Sequence, residues 1–271
     1  MMCNNEFSLL RLVPAVTRAR DFRLYTEDRR RLVDLWQNGG AAIMGHTPPS
    51  LLRELKNTAS RGLYSPLPHY WEGRYIKALS RIFPGRSFRL FNAPPPELEA
   101  LAEKGTAALW RPCIDPAAPL SVPENSPPVL IPVVPGIQGW RDNLPYGLCV
   151  LALDTGFEKN EILPPGDFLS PVLLAVAARG LYDLIAAAPQ RANPCSEGAC
   201  PRIIKTLKNS RWKRQGIYLS LRHEPAHEEW SALFRRFLEA GFLLPPVPRH
   251  PAILPGILSP GEEAKLAGLL V

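Results

Sequence analysis

The chain has 271 residues, of which 46% are hydrophobic, so it is long and apolar enough to bury a core in one domain or in one domain with a lobe. No uninterrupted apolar run approaches the ~18–20 residues of a membrane span, and the first sixteen residues lack the charge pattern of a signal peptide, so a cytoplasmic protein without a membrane segment is predicted. The net charge of +7 favours contact with polyanions or acidic ligands but does not bear on the fold.

Two short strands joined by a charged turn are predicted between residues 24 and 36. Leu24-Tyr25 and the run 32–36 are largely apolar, and polar residues separate them. Gly39-Gly40 follows the second strand, and glycine permits backbone angles and close approaches that a side chain blocks. A helical pattern of leucines begins at residue 51, which predicts Ser50 as the N-cap of that helix.

The order of these motifs resembles the N-terminal part of class III aminotransferases, which are fold-type I enzymes that use pyridoxal phosphate (PLP). In that family a hairpin ending in D-G-R-x-Y-L-D leads to a glycine-rich turn and then to G-H-x-x-P. The matching residues run from Asp28 to Asp34 and continue with Gly39-Gly40 and with Gly45-His46-Thr47-Pro48. The resemblance implies an α/β fold of the PLP-transferase type, an N-terminal arm over residues 1–20, and a homodimer, because fold-type I enzymes build their active sites at a dimer interface.

The next segment departs from the family where the cofactor phosphate should bind. A helix is predicted for 71–82, a short strand for 87–91 and a helix for 97–109. In class III aminotransferases this strand runs into Asn-Ser-Gly-[Ser/Thr/Ala]-Glu, and backbone N–H groups at the following helix start hold the phosphate. Here Asn92 is followed by Ala93 and then by Pro94-Pro95-Pro96, which removes three donors. The resemblance therefore implies that Asn92 is a vestigial cofactor contact.

The cofactor's other contacts are also reduced. Runs 129–134 and 148–154 suit buried strands, and Asp154 with the following Thr-Gly-Phe resembles the family's D-E-x-x-T-G-F motif, whose Asp binds the pyridine nitrogen. An Asp that caps a turn at a strand end explains Asp154 equally well. The Schiff-base lysine should follow, but only Lys159 lies in the gap before the next helix. Its neighbours include two acids, and an exposed lysine there keeps its proton and is a poor nucleophile.

The C-terminal part resembles the small domain of the same family. Helices are predicted for 171–188, 228–240 and 262–270 and a strand for 216–221, and the run from Leu254 to Glu263 matches the family's ending. The resemblance covers about residues 20–100 and 170–271. It implies an arm, hairpin and first helix (1–60) that pack with a small α+β C-terminal domain (166–271), and a strongly reduced central lobe (61–165).

Three weaker patterns leave alternatives open. The run 202–214 holds six basic residues and no acid, which predicts either a patch for nucleic acid or another polyanion, or a solvated helix face. His223 and His227 have the spacing of the zinc-protease motif, but Pro225 between them disfavours the helix that the motif needs. Cys195 and Cys200 form one C-x4-C pair without the second pair of a zinc site, so no metal site is predicted.

Function has to be argued from sites, because one fold supports many functions. With the lysine and the phosphate cup missing, the sequence predicts a degenerate relative of class III aminotransferases without catalytic residues or a cofactor, which binds a partner or a small acid. Arg23, Arg29, Arg30 and Arg31 suit a carboxylate or phosphate ligand, or are surface charge. The alternatives are a PLP-dependent aminotransferase or aminomutase with an unconventional or partner-supplied lysine, and a polyanion-binding module built on 202–214.

Overall fold

The structure is a computed structural model of the chain, and it describes residues 8–141, 144–160, 163–192 and 200–271. The α-helices of this part are α1 Pro49–Ala59, α2 Tyr70–Ile82, α3 Glu97–Glu103, α4 Thr155–Asn160, α5 Pro171–Ala192, α6 Pro201–Leu207, α7 His227–Glu239 and α8 Pro260–Leu269. The strands are β1 Val16–Arg20, β2 Arg23–Thr26, β3 Arg31–Asp34, β4 Arg86–Phe91, β5 Ala107–Trp110, β6 Val129–Pro132, β7 Gly139–Arg141, β8 Leu144–Tyr146, β9 Cys149–Asp154, β10 Trp212–Gln215, β11 Tyr218–Leu221, β12 Phe242–Leu243 and β13 Ala252–Ile253. Short 3-10 helices cover Ser8–Leu12 and Gln37–Gly40.

The first of two compact units consists of residues 1–47, 113–117 and 189–271. Its four-stranded sheet has the order β1-β2-β3-β12, in which the predicted hairpin β2-β3 is antiparallel and β12 joins β3 in parallel. A second sheet has the order β10-β11-β13. The core of the unit includes fully buried Leu32, Trp212, Phe234, Phe237 and Phe242. The N-terminal hairpin and the C-terminal segment therefore share one hydrophobic core.

The second unit consists of residues 48–112 and 118–188. Its sheet has the order β4-β9-β6-β5, with β5 and β6 parallel and β9 antiparallel to both β4 and β6. Helix α2 buries Trp71, Tyr75, Ala78, Leu79 and Ile82, which recur at helical spacing on one face. They share a core cluster with apolar residues of α5.

Helix α5 is the one helix among the described residues that is long and apolar enough to cross a membrane. Fifty-six per cent of its most apolar window is buried inside the protein. Leu174, Ala178 and Leu181 of α5 belong to the same core cluster as Tyr75 and Leu79. A core helix of this kind passes the same length and composition test, so α5 is weak evidence for a membrane segment.

The chain passes between the two compact units after residues 47, 112, 117 and 188, whereas the predicted domain boundaries lie after residues 60 and 165. Helix α1 was expected with the N-terminal part, and α5 with the C-terminal domain. Ser50 of α1 donates a side-chain hydrogen bond to Asp183 of α5, and both residues lie in the second unit. The prediction of Ser50 as the N-cap is wrong, because the helix begins at Pro49 and Pro48 stands at the cap without a side-chain bond.

Two predicted helices are shorter in the structure. The helix predicted for 97–109 ends at Glu103, because Gly105 adopts a left-handed backbone angle of 70° and residues 107–110 pair with β6 as strand β5. In the basic run 202–214, α6 ends at Leu207 and residues 212–215 form β10 against β11. The helices predicted for 71–82, 171–188, 228–240 and 262–270 are confirmed as α2, α5, α7 and α8 with small changes at their ends.

Candidate functional site

Asp34 organises the turn that follows β3 in the first unit. Its carboxylate oxygen Oδ1 accepts hydrogen bonds from the backbone N–H groups of Trp36 and Gln37, both at 2.8 Å. The other oxygen, Oδ2, lies 2.8 Å from Nε2 of His46. The Asp34 side chain is only 2% exposed, so the pair of Asp34 and His46 is largely shielded from water. An aspartate that accepts from Nε2–H fixes the orientation and the tautomer of the imidazole.

Four consecutive residues after Asp34 have left-handed backbone angles. The values of φ are 48° for Gln37, 48° for Asn38, 65° for Gly39 and 111° for Gly40. Such angles are uncommon for residues other than glycine. The Gln37 side chain stabilises this turn, because its Nε2 donates to the carbonyl of Ile253 at 3.0 Å and its Oε1 accepts from Nη2 of Arg191 at 3.2 Å.

Arg191 is a buried cation that holds the same turn from the other side. Its Nε donates to the carbonyl of Ile43 at 2.7 Å, and its Nη2 donates to the carbonyl of Leu254 at 2.6 Å. These carbonyls lie in different parts of the sequence, so Arg191 ties residues 37–43 to the C-terminal segment. The turn carrying Asn38 and His46 is therefore held by a buried polar network, which favours a single conformation.

A cavity of about 400 Å³ lies beside the Asp34–His46 pair, within the first unit. Most of its wall is apolar, with Leu10, Val13, Leu24, Trp36 and Leu243 among the lining residues. Asp34, Asn38 and His46 supply the polar part of the wall. Sequence reasoning singled out Asp34 and His46 only as members of family motifs, and nothing in the linear sequence placed residues 10–16 and 243 around them.

The four arginines predicted to bind an anion do not form a common site. Arg23 faces Glu262, with Nε to Oε1 at 3.0 Å and Nη2 to Oε2 at 2.7 Å, and Arg31 lies 3.4 Å from the same carboxylate. Arg30 pairs with Asp28 at 2.9 Å, and Arg29 is exposed in the turn with φ of 66°. Two acids of the chain thus pair with three of the four guanidinium groups, and Arg23 already engages both oxygens of Glu262.

The two predicted vestigial cofactor contacts lie at opposite ends of one sheet. Asn92 follows β4, and the antiparallel register pairs Phe91 with Cys149 and Arg86 with Asp154. Six residues of strand separate the ends, which places Asn92 and Asp154 about 20 Å apart along the strand direction. Oδ1 of Asp154 accepts the backbone N–H of Gly156 at 2.8 Å, as the turn-capping alternative requires. One ligand of PLP size cannot bind both side chains.

The positions of the lysines bear most directly on whether PLP can form a Schiff base with this chain. The chain has eight lysines, and every one whose side chain is described lies exposed: Lys56, Lys77, Lys104, Lys205, Lys208, Lys213 and Lys265. The Lys159 side chain lies outside the described part. Burial or a cationic neighbour lowers the pKa of a Schiff-base lysine, and exposed side chains lack the first of these.

The helix that should hold the phosphate is preceded by three residues without backbone N–H donors. Helix α3 has only seven residues, Pro96 stands at its N-cap, and no side chain caps it. The three prolines before it contribute carbonyls only, as the sequence predicted. The residues of the second unit that are described therefore do not fit the phosphate or the aldehyde of PLP in the way the family uses them.

No metal centre forms in the part of the chain that the structure describes, where no group of three His, Cys, Asp or Glu side chains comes together. Helix α7 begins at His227, so His223 lies before the helix and the two histidines do not share a helical turn. Cys195 lies outside the described residues. The thiols of Cys113 and Cys149 are buried, and burial raises their pKa values to about 11 and about 12, which makes both poor nucleophiles.

The chain was compared with family models, with curated proteins and with solved structures. No family model matches the chain. An uncharacterized protein of Treponema pallidum is 27% identical over 300 residues and covers 92% of both chains. Among solved structures, ornithine δ-aminotransferase of Plasmodium falciparum has a TM-score of 0.63 with 13% identity, and covers 95% of this chain and 92% of its own. A glutamate-1-semialdehyde aminomutase of Pseudomonas aeruginosa PAO1 has a TM-score of 0.65 with 13% identity, over 95% of this chain and 86% of its own.

These similarities show the fold. The chain is a mixed α/β protein with a reduced PLP-transferase fold, and its structural neighbours are class III aminotransferases and related enzymes. The predicted fold class is confirmed. At 13% identity the similarity does not carry a reaction, a cofactor or a partner to this chain.

Proposed function

We propose that this protein is a non-catalytic member of the PLP-transferase fold and that it acts in the cytoplasm by binding rather than by transamination. The observation that carries the proposal is that all seven lysines whose side chains are described lie exposed on the single chain, and none is buried within its own fold. A lysine in open water keeps its proton at neutral pH and does not add to an aldehyde efficiently. The proline-led start of α3 and the separation of Asn92 from Asp154 support the same conclusion.

Two alternatives make different predictions. A PLP enzyme with an unconventional or partner-supplied lysine predicts a saturable internal aldimine. A polyanion-binding module predicts salt-dependent binding through 202–214. That segment has no continuous helical face, and Arg211 within it pairs with Glu229 at 2.6 Å, so no observation favours it over the binding role.

A PLP titration followed by visible absorbance tests the proposal. We expect no saturable aldimine band above the free-cofactor baseline for the wild type. Lys159→Arg removes the one lysine whose side chain lies outside the described part, and Lys104→Arg is the matched surface control. All three proteins should give the same spectrum. A saturable band that Lys159→Arg removes and Lys104→Arg retains would overturn the proposal and name the lysine.

A further inference from the structure

We propose that the cavity beside Asp34 and His46 is a binding site for a small, mostly apolar molecule with one neutral hydroxyl head. This inference goes beyond the proposed function and does not depend on whether PLP binds, because the cavity lies in the first unit while the lost phosphate site lies in the second. Its volume of about 400 Å³ falls within the range of pockets that hold small ligands.

The apolar side chains of the cavity wall indicate that most of the ligand is apolar. Leu10, Val13, Leu24 and Leu243 come from the arm, from β2 and from β12, so apolar side chains converge from three segments. Trp36 adds an aromatic surface. A mostly apolar wall with a few polar groups at one place is the usual composition of a small-molecule site. Burying an apolar ring or short chain here releases ordered water and supplies the binding free energy.

The polar side chains of the cavity wall indicate the charge and hydrogen-bonding character of the ligand's head group. The Asp34 carboxylate already accepts three hydrogen bonds and is buried, so a second negative charge placed beside it is disfavoured. The same carboxylate attracts a cationic head, but both of its oxygens already accept hydrogen bonds, and the cation would lose its water to a mostly apolar wall. In the neutral imidazole with Nε2–H donated to Asp34, Nδ1 of the same ring is an acceptor, and a hydroxyl can donate to it. A neutral donor is therefore the head that this wall recognises.

The turn that presents the polar wall is built for a fixed geometry. Asn38 has a left-handed backbone, and its neighbour Gln37 is locked by Ile253 and Arg191. Residues held in sparsely populated backbone regions persist only where the surroundings enforce them, and they cluster at ligand sites. A pre-organised wall loses little conformational entropy when a ligand binds.

Ligand-observed NMR titration with four matched compounds tests the site. The probes are 4-ethylphenol, ethylbenzene, 4-ethylbenzoate and 4-ethylbenzylamine, which share a body and differ in the head. We expect the phenol to bind about tenfold more tightly than ethylbenzene, the effect of one neutral hydrogen bond, and the two charged compounds to bind more weakly than the phenol. Tightest binding by the benzoate or the benzylamine would overturn the assignment of the head.

Three variants locate the binding. Ala15 lines the cavity and is exposed, so Ala15→Trp should close the cavity without unfolding the protein, and all four probes should lose affinity. Ala118 is an exposed alanine of the second unit that does not line the cavity, and Ala118→Trp should bind like the wild type. In folded His46→Leu the phenol should bind no better than ethylbenzene. If His46→Leu does not fold, the Ala15→Trp and Ala118→Trp pair still decides the question.

The proposal fails if no probe binds the wild type, or if Ala15→Trp and Ala118→Trp bind the phenol equally. It also fails if folded His46→Leu keeps the preference for the phenol over ethylbenzene. A lysine trapped by PLP would overturn the proposed function and leave these results unchanged, so failure of the two proposals can be told apart.

Discussion

Arg23 and Glu262 form a two-point ion pair between β2 and the start of α8. Their side chains are 16% and 9% exposed, so the pair is largely removed from water. Glu262 also accepts the backbone N–H of Ser259, whose hydroxyl accepts from Glu262 N–H in a capping box. One carboxylate thus joins the N-terminal hairpin to the last helix.

We expect Glu262→Gln to lower the free energy of unfolding by about 1–3 kcal/mol, because the amide leaves the half-buried Arg23 charge without its partner. Chemical denaturation measures the change. Glu239→Gln, on an exposed face of α7, is the control and should change stability little. Equal stability of the two variants would contradict the importance of this ion pair.

The same carboxylate gives a pH dependence of known sign. Burial raises the pKa of Glu262, but the bonds from Arg23 and Ser259 outweigh it and lower the pKa from 4.5 to about 2. A folded-state pKa below the unfolded value means that the stabilisation is complete above about pH 4.5 and is lost as the pH falls toward 2. The stability gap between wild type and Glu262→Gln should therefore narrow from pH 7 to pH 3. A gap that stays constant would show that Glu262 keeps its ordinary pKa.

For single residues, the sequence showed which side chains are charged but not which residues they pair with. Four arginines within nine residues predicted an anion site, and Glu262, which satisfies two of them, lies 239 residues from Arg23. A pattern of neighbouring residues cannot predict a pair so far apart in the sequence. Asp34 and His46 were likewise recognised only as members of family motifs. Their hydrogen bond and the cavity beside them arise from packing, which the sequence does not show.

Two helical glycines have different roles: one permits close packing, and the other only affects helix propensity. A Cβ placed on Gly180 of α5 would lie 2.2 Å from the carbonyl oxygen of Pro135, whereas a Cβ on Gly73 of α2 would meet nothing within 4 Å. Gly180 therefore permits the close approach of residue 135, and Gly73 only lowers the helix propensity of α2.

We expect Gly180→Ala to lower the free energy of unfolding by about 1–3 kcal/mol through overpacking, and Gly73→Ala to raise it by up to about 1 kcal/mol. Thermal and chemical unfolding of the two variants measure the difference. Changes of the same sign would show that α5 does not pack against residue 135 as described.

Helix boundaries were predictable where a cap or an apolar stripe marks them. Ser259 and Glu262 form a capping box at the start of α8, and Gly241 follows α7 with φ of 90°. The helix predicted for 97–109 failed because residues 107–110 pair with β6, a contact with residues more than twenty positions away. Tertiary pairing overrode local helical pattern there.

For the molecule as a whole, short ordered motifs at both ends of the chain were enough to predict the fold, because hairpin and C-terminal segment share one core. The sequence could not predict the antiparallel direction of β9 beside β4, which separates Asp154 from Asn92. Strand direction depends on the path of the chain between strands, and apolar runs alone do not specify it.

We expect the protein to be a homodimer, as the resemblance implies. Leu52, Tyr64, Leu67 and Tyr70 are large apolar side chains that lie exposed within one stretch of the second unit, and we propose that a second copy of the chain covers them. Sedimentation velocity should give a dimer for the wild type and a monomer for Leu67→Asp. Ile257→Asp, at an equally exposed apolar residue of the first unit, should remain dimeric. A monomeric wild type would contradict this expectation.

We propose that this protein has kept the fold without the Schiff-base chemistry. The decisive experiment is borohydride reduction of the protein with excess PLP, followed by peptide mass mapping. We expect low labelling scattered over the lysines, with no single lysine labelled preferentially. Stoichiometric labelling of one lysine at limiting PLP would contradict it and would make the protein a PLP enzyme.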